Sequence, residues 1–142
     1  MSSIFEALRE DHDKQRALLS ALVETQGDSK ARADLYQTLK DNLEQHAVAE
    51  ERYFYAPLIK FERTIGQSRH GIAEHHTIDK LIAELDSLEF SDPNWLKVMK
   101  KLQDKVLHHL AEEEKEFFPQ AGIVLSENDK AKLGKEYAQE MD

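Results

Sequence analysis

Two short segments of the sequence place a histidine four residues before a glutamate. His46 precedes Glu50, and His109 precedes Glu113. Residues four apart lie on one face of an α-helix, about 6 Å apart along its axis. The imidazole and the carboxylate of each pair can therefore reach one metal ion or two adjacent ions. The two segments start 63 residues apart, and both continue into aromatic residues and a proline. This weak internal repeat indicates two related helical hairpins.

The apolar periodicity of the predicted helices indicates which polar side chains face the core. His12 lies one turn after Leu8 on an apolar stripe, and His75 shares its stripe with Ile78. The two His-x-x-x-Glu pairs also continue apolar stripes, so each helix has a metal-binding residue type where the pattern demands an apolar one. The six candidate metal ligands are His12, His46, Glu50, His75, His109 and Glu113.

Three other histidines do not meet this criterion. His108 aligns with charged residues of its helix, His76 lies beside the apolar stripe, and His70 is near the start of its predicted helix. We interpret these three as surface residues or as supporting residues around the site.

The distance of each histidine from its predicted turn provides a second criterion. With Gly27 and Ser91 as the turns of two antiparallel hairpins, the four inward-facing histidines fall within about one helical turn of a common level. Six buried polar groups without a metal would each cost several kcal/mol, whereas a whole domain is stable by about 5–15 kcal/mol. A metal centre therefore explains the pattern better than six ordinary core residues.

The donor types favour two metal ions of intermediate softness. The chain has no cysteine, which excludes thiolate zinc sites, iron–sulfur clusters and disulfides. Four imidazoles and two carboxylates do not form the all-oxygen site that calcium or magnesium requires. Two carboxylates can bridge two ions, with a solvent-derived oxygen between them. These donors do not complete two octahedra, so room remains for a small exogenous molecule.

The arrangement of helix formers and breaks predicts an all-α protein with one domain over residues 1–142. Glycine and proline are scarce, and Pro57 should bend or end the second helix. Similar lengths and short connections favour an antiparallel up-down-up-down four-helix bundle over residues 3–120, with a C-terminal extension over 121–142. The predicted helices span about residues 3–26, 30–61, 68–88 and 91–118, and a short fifth helix begins at Ser126.

The charge and hydropathy of the chain exclude several classes of function. Lys and Arg number 19 against 28 Asp and Glu, which gives a formal charge of −9. This acidic balance disfavours nucleic acids and anionic membranes as partners. No apolar run resembles a signal peptide or a membrane span. We therefore expect a soluble protein of the cytoplasm.

The site residues and their neighbours resemble the hemerythrin-like family, also known as the HHE cation-binding domain. The matching elements are Asp11-His12, His46-x-x-x-Glu50-Glu51, Glu74-His75 and His109-x-x-x-Glu113-Glu114. Together they extend over most of the chain. The resemblance implies a four-helix bundle around two iron ions with an oxo or hydroxo bridge, and O2, NO or peroxide as the small-molecule partner.

One departure from the family pattern bears on function. Oxygen-carrying hemerythrins have a His-x-x-x-His pair on the third helix, whereas here Gly71 lies four residues before His75 and Asp79 four residues after it. Gly71 is the closer of the two to the level of the carboxylates, so we expect a ligand to be missing rather than replaced. That expectation disfavours reversible oxygen transport.

Three functions stay open at this point. The first is a protein that binds O2 or NO, or that stores or senses iron. The second is a di-iron enzyme that reacts with peroxide, O2 or NO. The third is a metal-stabilised interaction module. We favour binding or redox handling of small ligands, and the sequence leaves the oligomeric state open.

Overall fold

The computed structural model describes residues 3–142, and this part of the chain folds as a bundle of five helices without a β-strand. Two of the five helices each contain one π-helical turn. The helices are α1 (Ile4–Val23), α2 (Lys30–Glu50, continuing as the π-turn Glu51–Tyr55 and Ala56–Leu58), α3 (Glu62–Asp86), α4 (Pro93–Glu112, continuing as the π-turn Glu113–Phe117 and Phe118–Val124) and α5 (Glu127–Met141). The predicted all-α bundle is confirmed.

Side-chain caps define the starts of several helices. Ser3 and Glu6 form a capping box at the start of α1, in which each side chain contacts the other residue's backbone N–H. Asp92 accepts a hydrogen bond from the backbone N–H of Asn94 at the start of α4. Ser126 accepts one from the backbone N–H of Asp129 at the start of α5, which confirms the predicted start of the fifth helix.

The two π-turns differ from the plain α-helices that the sequence predicted. Each π-turn begins next to a His-x-x-x-Glu pair and ends shortly before a proline, Pro57 in α2 and Pro119 in α4. Proline has no backbone N–H to continue the α-helical hydrogen bonds. An i→i+5 turn adds one residue to the helical repeat and rotates the following side chains. Residues after Glu50 and Glu113 therefore face directions that an α-helical pattern does not predict.

Several helix ends also differ from the prediction. Helix α3 begins at Glu62 rather than Ser68, because Phe61 is extended and the polar residues after it are already helical. Helix α4 continues through Pro119 to Val124 rather than ending at Phe118, since proline is tolerated in a first turn after the π-turn. Helix α1 ends at Val23 rather than near residue 26. Helix α5 has 15 residues and packs against α1 and α2.

The apolar core consists of two clusters, and the candidate ligands lie between them along each helix. One cluster surrounds Leu39 and Trp95, and the other surrounds Phe54 and Phe117. Within residues 3–142, no helix combines the length and the apolar character needed to cross a membrane. The fold thus has a polar layer at mid-bundle with apolar packing on both sides.

Candidate metal centre

The structure brings all six predicted ligands together in this buried layer. Each residue is at most 5% exposed, and every one of the four long helices α1 to α4 contributes. The six residues are His12, His46, Glu50, His75, His109 and Glu113.

The carboxylate of Glu50 lies among three of the histidines. Its Oε1 atom is 3.0 Å from Nε2 of His75, 3.4 Å from Nε2 of His46 and 3.9 Å from Nε2 of His109. The carboxylate of Glu50 is therefore close enough to the histidines of both hairpins to share a cation with either group. Its own position on α2 directly before the π-turn fixes this orientation.

The carboxylate of Glu113 makes the corresponding contacts from α4. Its Oε1 atom is 3.3 Å from Nε2 of His12, and its Oε2 atom is 3.7 Å from Nε2 of His109. Each of the two carboxylates thus touches histidines from both hairpins, which is the arrangement that two bridging groups require.

Two sets of three ligand atoms are compact enough to hold a metal ion. His12, His46 and Glu50 form one set, and Glu50, His75 and His109 form the other, with all ligand atoms of a set within 4.8 Å of one another. Glu50 belongs to both sets. The geometry is that of two adjacent cation positions that share a carboxylate.

Four buried atoms of the layer have no hydrogen-bond partner among the described residues. They are Nε2 of His12, Nε2 of His46, Oε2 of Glu50 and Oε1 of Glu113. A buried polar atom without a partner costs about 1–3 kcal/mol, and such atoms are rare in native proteins. The donor set therefore fits a bound cation, which would satisfy all four atoms at once.

Each histidine is oriented through its other ring nitrogen by a carboxylate on a different helix. Nδ1 of His12 donates to Glu114 at 2.6 Å, and Nδ1 of His75 donates to Glu51 at 2.8 Å. These glutamates directly follow the two bridging candidates in sequence. A carboxylate at Nδ1 keeps the proton there and leaves the Nε2 lone pair free for a metal.

The other two histidines have the same kind of support. Nδ1 of His109 donates to Glu74 at 2.8 Å, and Nδ1 of His46 donates to Asp11 at 3.1 Å. Tyr137 of α5 adds its hydroxyl oxygen 2.6 Å from Nδ1 of His46 and donates to Asp11. The predicted short fifth helix is thus longer and supplies a buried residue to the site.

Burial and the close carboxylates shift the pKa values of these groups in the absence of a metal. Burial lowers the pKa of His46, but the charge of Glu50 and the hydrogen bond to Asp11 outweigh it and raise that pKa to about 10. The pKa of His109 rises to about 10 against the effect of burial, because Glu50 lies close to it, Glu74 hydrogen bonds to it and the charge of Glu113 favours the protonated ring. Burial and the negative charge of Glu50 raise the pKa of Glu113. Protons on the imidazoles thus compensate the carboxylates in the metal-free protein.

Comparison with protein-family models decides the classification. The model of the hemerythrin HHE cation binding domain matches residues 3–121. The chain belongs to this family. A solved structure of a hemerythrin HHE cation binding domain-containing protein from Mycobacterium kansasii superposes with a TM-score of 0.88 and 22% sequence identity, over 99% of this chain and 86% of that chain. It shows that the two share a fold. A search among curated protein sequences found no match.

The internal repeat of this hemerythrin-like chain extends through the whole site. His12 and His75 are 63 residues apart, as are His46 and His109, and the supporting residues Asp11 and Glu74 keep the same spacing. The hydrogen bonds of one half recur in the other. The two cation positions are therefore pseudo-equivalent in their histidines and carboxylates.

The repeat breaks at one pair of positions. Leu8 and Phe118 correspond to Gly71 and Tyr55 at the same spacing, so one half is apolar where the other has a glycine and a phenol. A Cβ atom at residue 71 would lie 2.6 Å from the hydroxyl oxygen of Tyr55 and 2.8 Å from Cε2 of its ring. The ring of Tyr55 thus occupies the space beside Gly71, where the sequence led us to expect a missing ligand.

The phenol of Tyr55 reaches into the centre itself. Its oxygen lies 2.5 Å from Oε2 of Glu113, 2.9 Å from Oε1 of Glu50 and 3.5 Å from Nε2 of His109. Burial and the charges of the two glutamates raise its pKa well above the ordinary value, so the metal-free phenol is protonated and donates a hydrogen bond. Tyr55 is not among the residues predicted from the sequence, because α-helical periodicity turns it away from Glu50.

The histidines that the sequence analysis set aside lie outside this layer. His76 is exposed, and the side chain of His108 is 69% exposed. His70, with its side chain 55% exposed, forms a third and outer group with Glu74 and Glu112. Asp79 lines a small cavity but belongs to none of the three groups that the described residues form.

Proposed function

We propose that the protein holds two iron ions between its helices and uses them to bind O2, NO or peroxide. The observation that carries the proposal is the position of Glu50, whose carboxylate belongs to both compact sets of ligand atoms. Carboxylates on facing helices of a bundle are the usual bridging groups of paired iron ions. Glu113 supports the same arrangement through its contacts with His12 and His109.

The residues would divide between the ions according to the repeat. His12 and His46 would hold one ion, and His75 and His109 the other, while the two glutamates would lie between them. Imidazole and carboxylate donors without thiolates suit iron, zinc or manganese, and the resemblance to hemerythrin favours iron. When bound, a reduced iron pair supplies electrons and open coordination positions for a small ligand.

The space around the centre favours a ligand of a few atoms. Two cavities adjoin it, and each has room for about one or two molecules the size of water. One lies beside Gly71, His109 and Glu113, and the other beside the opposite face of the histidines. Neither cavity accommodates an organic substrate, so the geometry supports a diatomic molecule or peroxide.

Anaerobic titration with NO tests this function. The iron-loaded, reduced protein is expected to give a saturable change in absorbance with NO, and His75→Ala should weaken or abolish it because one of the two ions would lose a ligand. His76→Ala, at the exposed neighbouring position, serves as the matched control. A wild-type protein that contains two iron ions and gives no response to NO, O2 or peroxide would contradict the proposal. Repeated consumption of peroxide would identify turnover rather than binding.

A further inference from the structure

The phenolic oxygen of Tyr55 lies beside the cation position of His75 and His109, where that position has room for another donor atom. The oxygen lies within 3.5 Å of Glu50, Glu113 and His109, and the side chain is fully buried. Neighbouring donors on one octahedral ion with bonds of about 2.1 Å are about 3 Å apart. The distance of 2.9 Å from the phenolic oxygen to Oε1 of Glu50 matches that separation, and the 2.5 Å to Oε2 of Glu113 is a little shorter.

Two features of the chain hold the phenol in this position. The π-turn Glu51–Tyr55 brings the residue five positions after Glu50 to the same face of α2. Gly71 then leaves the space that the ring occupies. In the other half of the repeat, Phe118 stacks on His12 with ring centroids 6.1 Å apart and offers no oxygen. The phenol therefore serves only one of the two positions.

We propose, resting on the di-iron function above, that the phenolic oxygen of Tyr55 is a ligand of the ion held by His75 and His109. The bond forms between the phenolic oxygen and oxidised iron, and the phenol proton is released to solvent. The ion held by His12 and His46 has no such ligand, so the two ions differ in their donors. A small ligand would therefore meet two ions with different sets of donors.

Visible absorption and resonance Raman spectra of the oxidised, iron-loaded protein test this assignment. Tyrosinate bound to ferric iron gives a charge-transfer band in the visible range and enhances the ring vibrations, whereas imidazole and carboxylate ligands do not. Tyr55→Phe should lose the band and the ring vibrations while it retains two iron ions. Tyr53→Phe is the control, because that tyrosine is partly exposed and packs against Arg52, outside the metal positions.

Every outcome of this comparison is decisive. Loss of the signature in Tyr55→Phe and its retention in Tyr53→Phe support the assignment. Two iron ions without a tyrosinate signature in the wild type, or a signature that survives Tyr55→Phe, overturns it and leaves the proposed function standing. A wild-type protein that takes up no iron overturns both. Gly71→Ala provides a second variant, since its Cβ atom should displace the ring and shift or weaken the band.

A different observation concerns Gln15, on the opposite side of the histidines. Gln15 is 1% exposed, and its amide nitrogen has no hydrogen-bond partner among the described residues. It lines a small cavity whose other walls are histidines of the site, apolar side chains and, at the exposed surface of α3, Asp79. The walls include His46, His75, His109, Leu43, Ile78 and Val106. A buried amide nitrogen without a partner, on a residue that lines a cavity, indicates a missing acceptor.

We infer that this cavity is the binding position of the small ligand and that the Gln15 amide donates a hydrogen bond to it. The inference also rests on the di-iron function. The glutamates and Tyr55 lie on the π-turn side of the histidines, whereas Leu43, Ile78 and Val106 lie on the other side. The ligand would thus contact the centre from the apolar side, where one amide N–H sets its orientation.

Azide binding to the oxidised, iron-loaded protein tests the role of Gln15. Gln15→Leu retains the size of the side chain but removes the donor, so azide affinity should fall about threefold to tenfold, with a shift of the azide stretching band in the infrared. Gln67→Leu is the matched control, because Gln67 lines the other cavity. Unchanged affinity and an unshifted band in Gln15→Leu with two iron ions would overturn the inference and indicate that the amide binds only an ordered water.

Discussion

The ring of Tyr55 occupies the space directly beside the backbone of Gly71, so that α3 approaches the π-turn of α2 at the point where α3 lacks a side chain. We predict that Gly71→Ala destabilises the metal-free protein by about 1–3 kcal/mol, because the added methyl group overlaps the phenol and forces a buried ring to move. Urea unfolding followed by circular dichroism measures the change.

Gly66 provides the matched control for that substitution. It lies in the same helix, and a Cβ atom there would meet nothing within 4 Å. Gly66→Ala should therefore leave the free energy of unfolding unchanged or raise it by up to about 1 kcal/mol through helix propensity. Equal stability of the two variants would show that the Tyr55 ring does not occupy the space beside Gly71 as described.

The second prediction separates His75 from its neighbour His76. His75→Ala should remove one of the bound ions or lower its affinity severely, because its Nε2 atom lies 3.0 Å from Oε1 of Glu50 in the buried layer. His76→Ala should retain the full metal content, since its side chain is exposed. Elemental analysis after desalting provides the measurement. Metal loss from His76→Ala with retention in His75→Ala would reverse the assignment of helical faces.

The third prediction concerns the support that α5 gives to the site. Tyr137→Phe removes the hydroxyl that contacts both His46 and Asp11, and changes of this kind around metal ligands usually lower affinity about 10- to 100-fold. Tyr53→Phe is the control, because Tyr53 packs against Arg52 at the partly exposed rim. Competition with a chelator measures the affinity. An identical affinity in both variants would argue against a role of α5 in the centre.

The fourth prediction follows from the raised pKa values of His46 and His109. Both rise from about 6.5 in the unfolded chain to about 10 in the metal-free fold. Their stabilisation is therefore complete below pH 6.5 and is lost as the pH rises toward 10. The metal-free protein should be less stable at pH 9.5 than at pH 7. Iron-loaded protein should lose less stability over this range, because its imidazoles are already deprotonated. Urea midpoints of both forms at the two pH values test the prediction, and parallel losses would contradict it.

Much of the site follows from regular α-helical geometry. The spacing of His46 and Glu50, the apolar stripe through His12, and the level of the histidines relative to their turns predicted residues that the structure does bring together. These inferences succeed because the ligand faces of α1 to α4, up to the glutamates, keep the ordinary repeat of 3.6 residues per turn.

The residues beyond the glutamates could not be predicted in that way. A π-turn changes the helical repeat, so Tyr55 reaches Glu50 although an α-helical pattern separates them. Tyr137 lies 91 residues from His46 and reaches it only through the packing of α5, which no local pattern specifies. The supporting carboxylates did leave a signal, since Asp11 and Glu74 directly precede candidate ligands in sequence.

The central claim is that the buried layer holds two iron ions, and the most direct test is anaerobic titration of metal-free protein with Fe(II), followed by desalting and elemental analysis. We predict an end point of two iron ions per chain, with Glu50→Ala reducing it because that carboxylate belongs to both sets of ligand atoms. An end point of one ion or none in correctly folded wild-type protein would contradict the account.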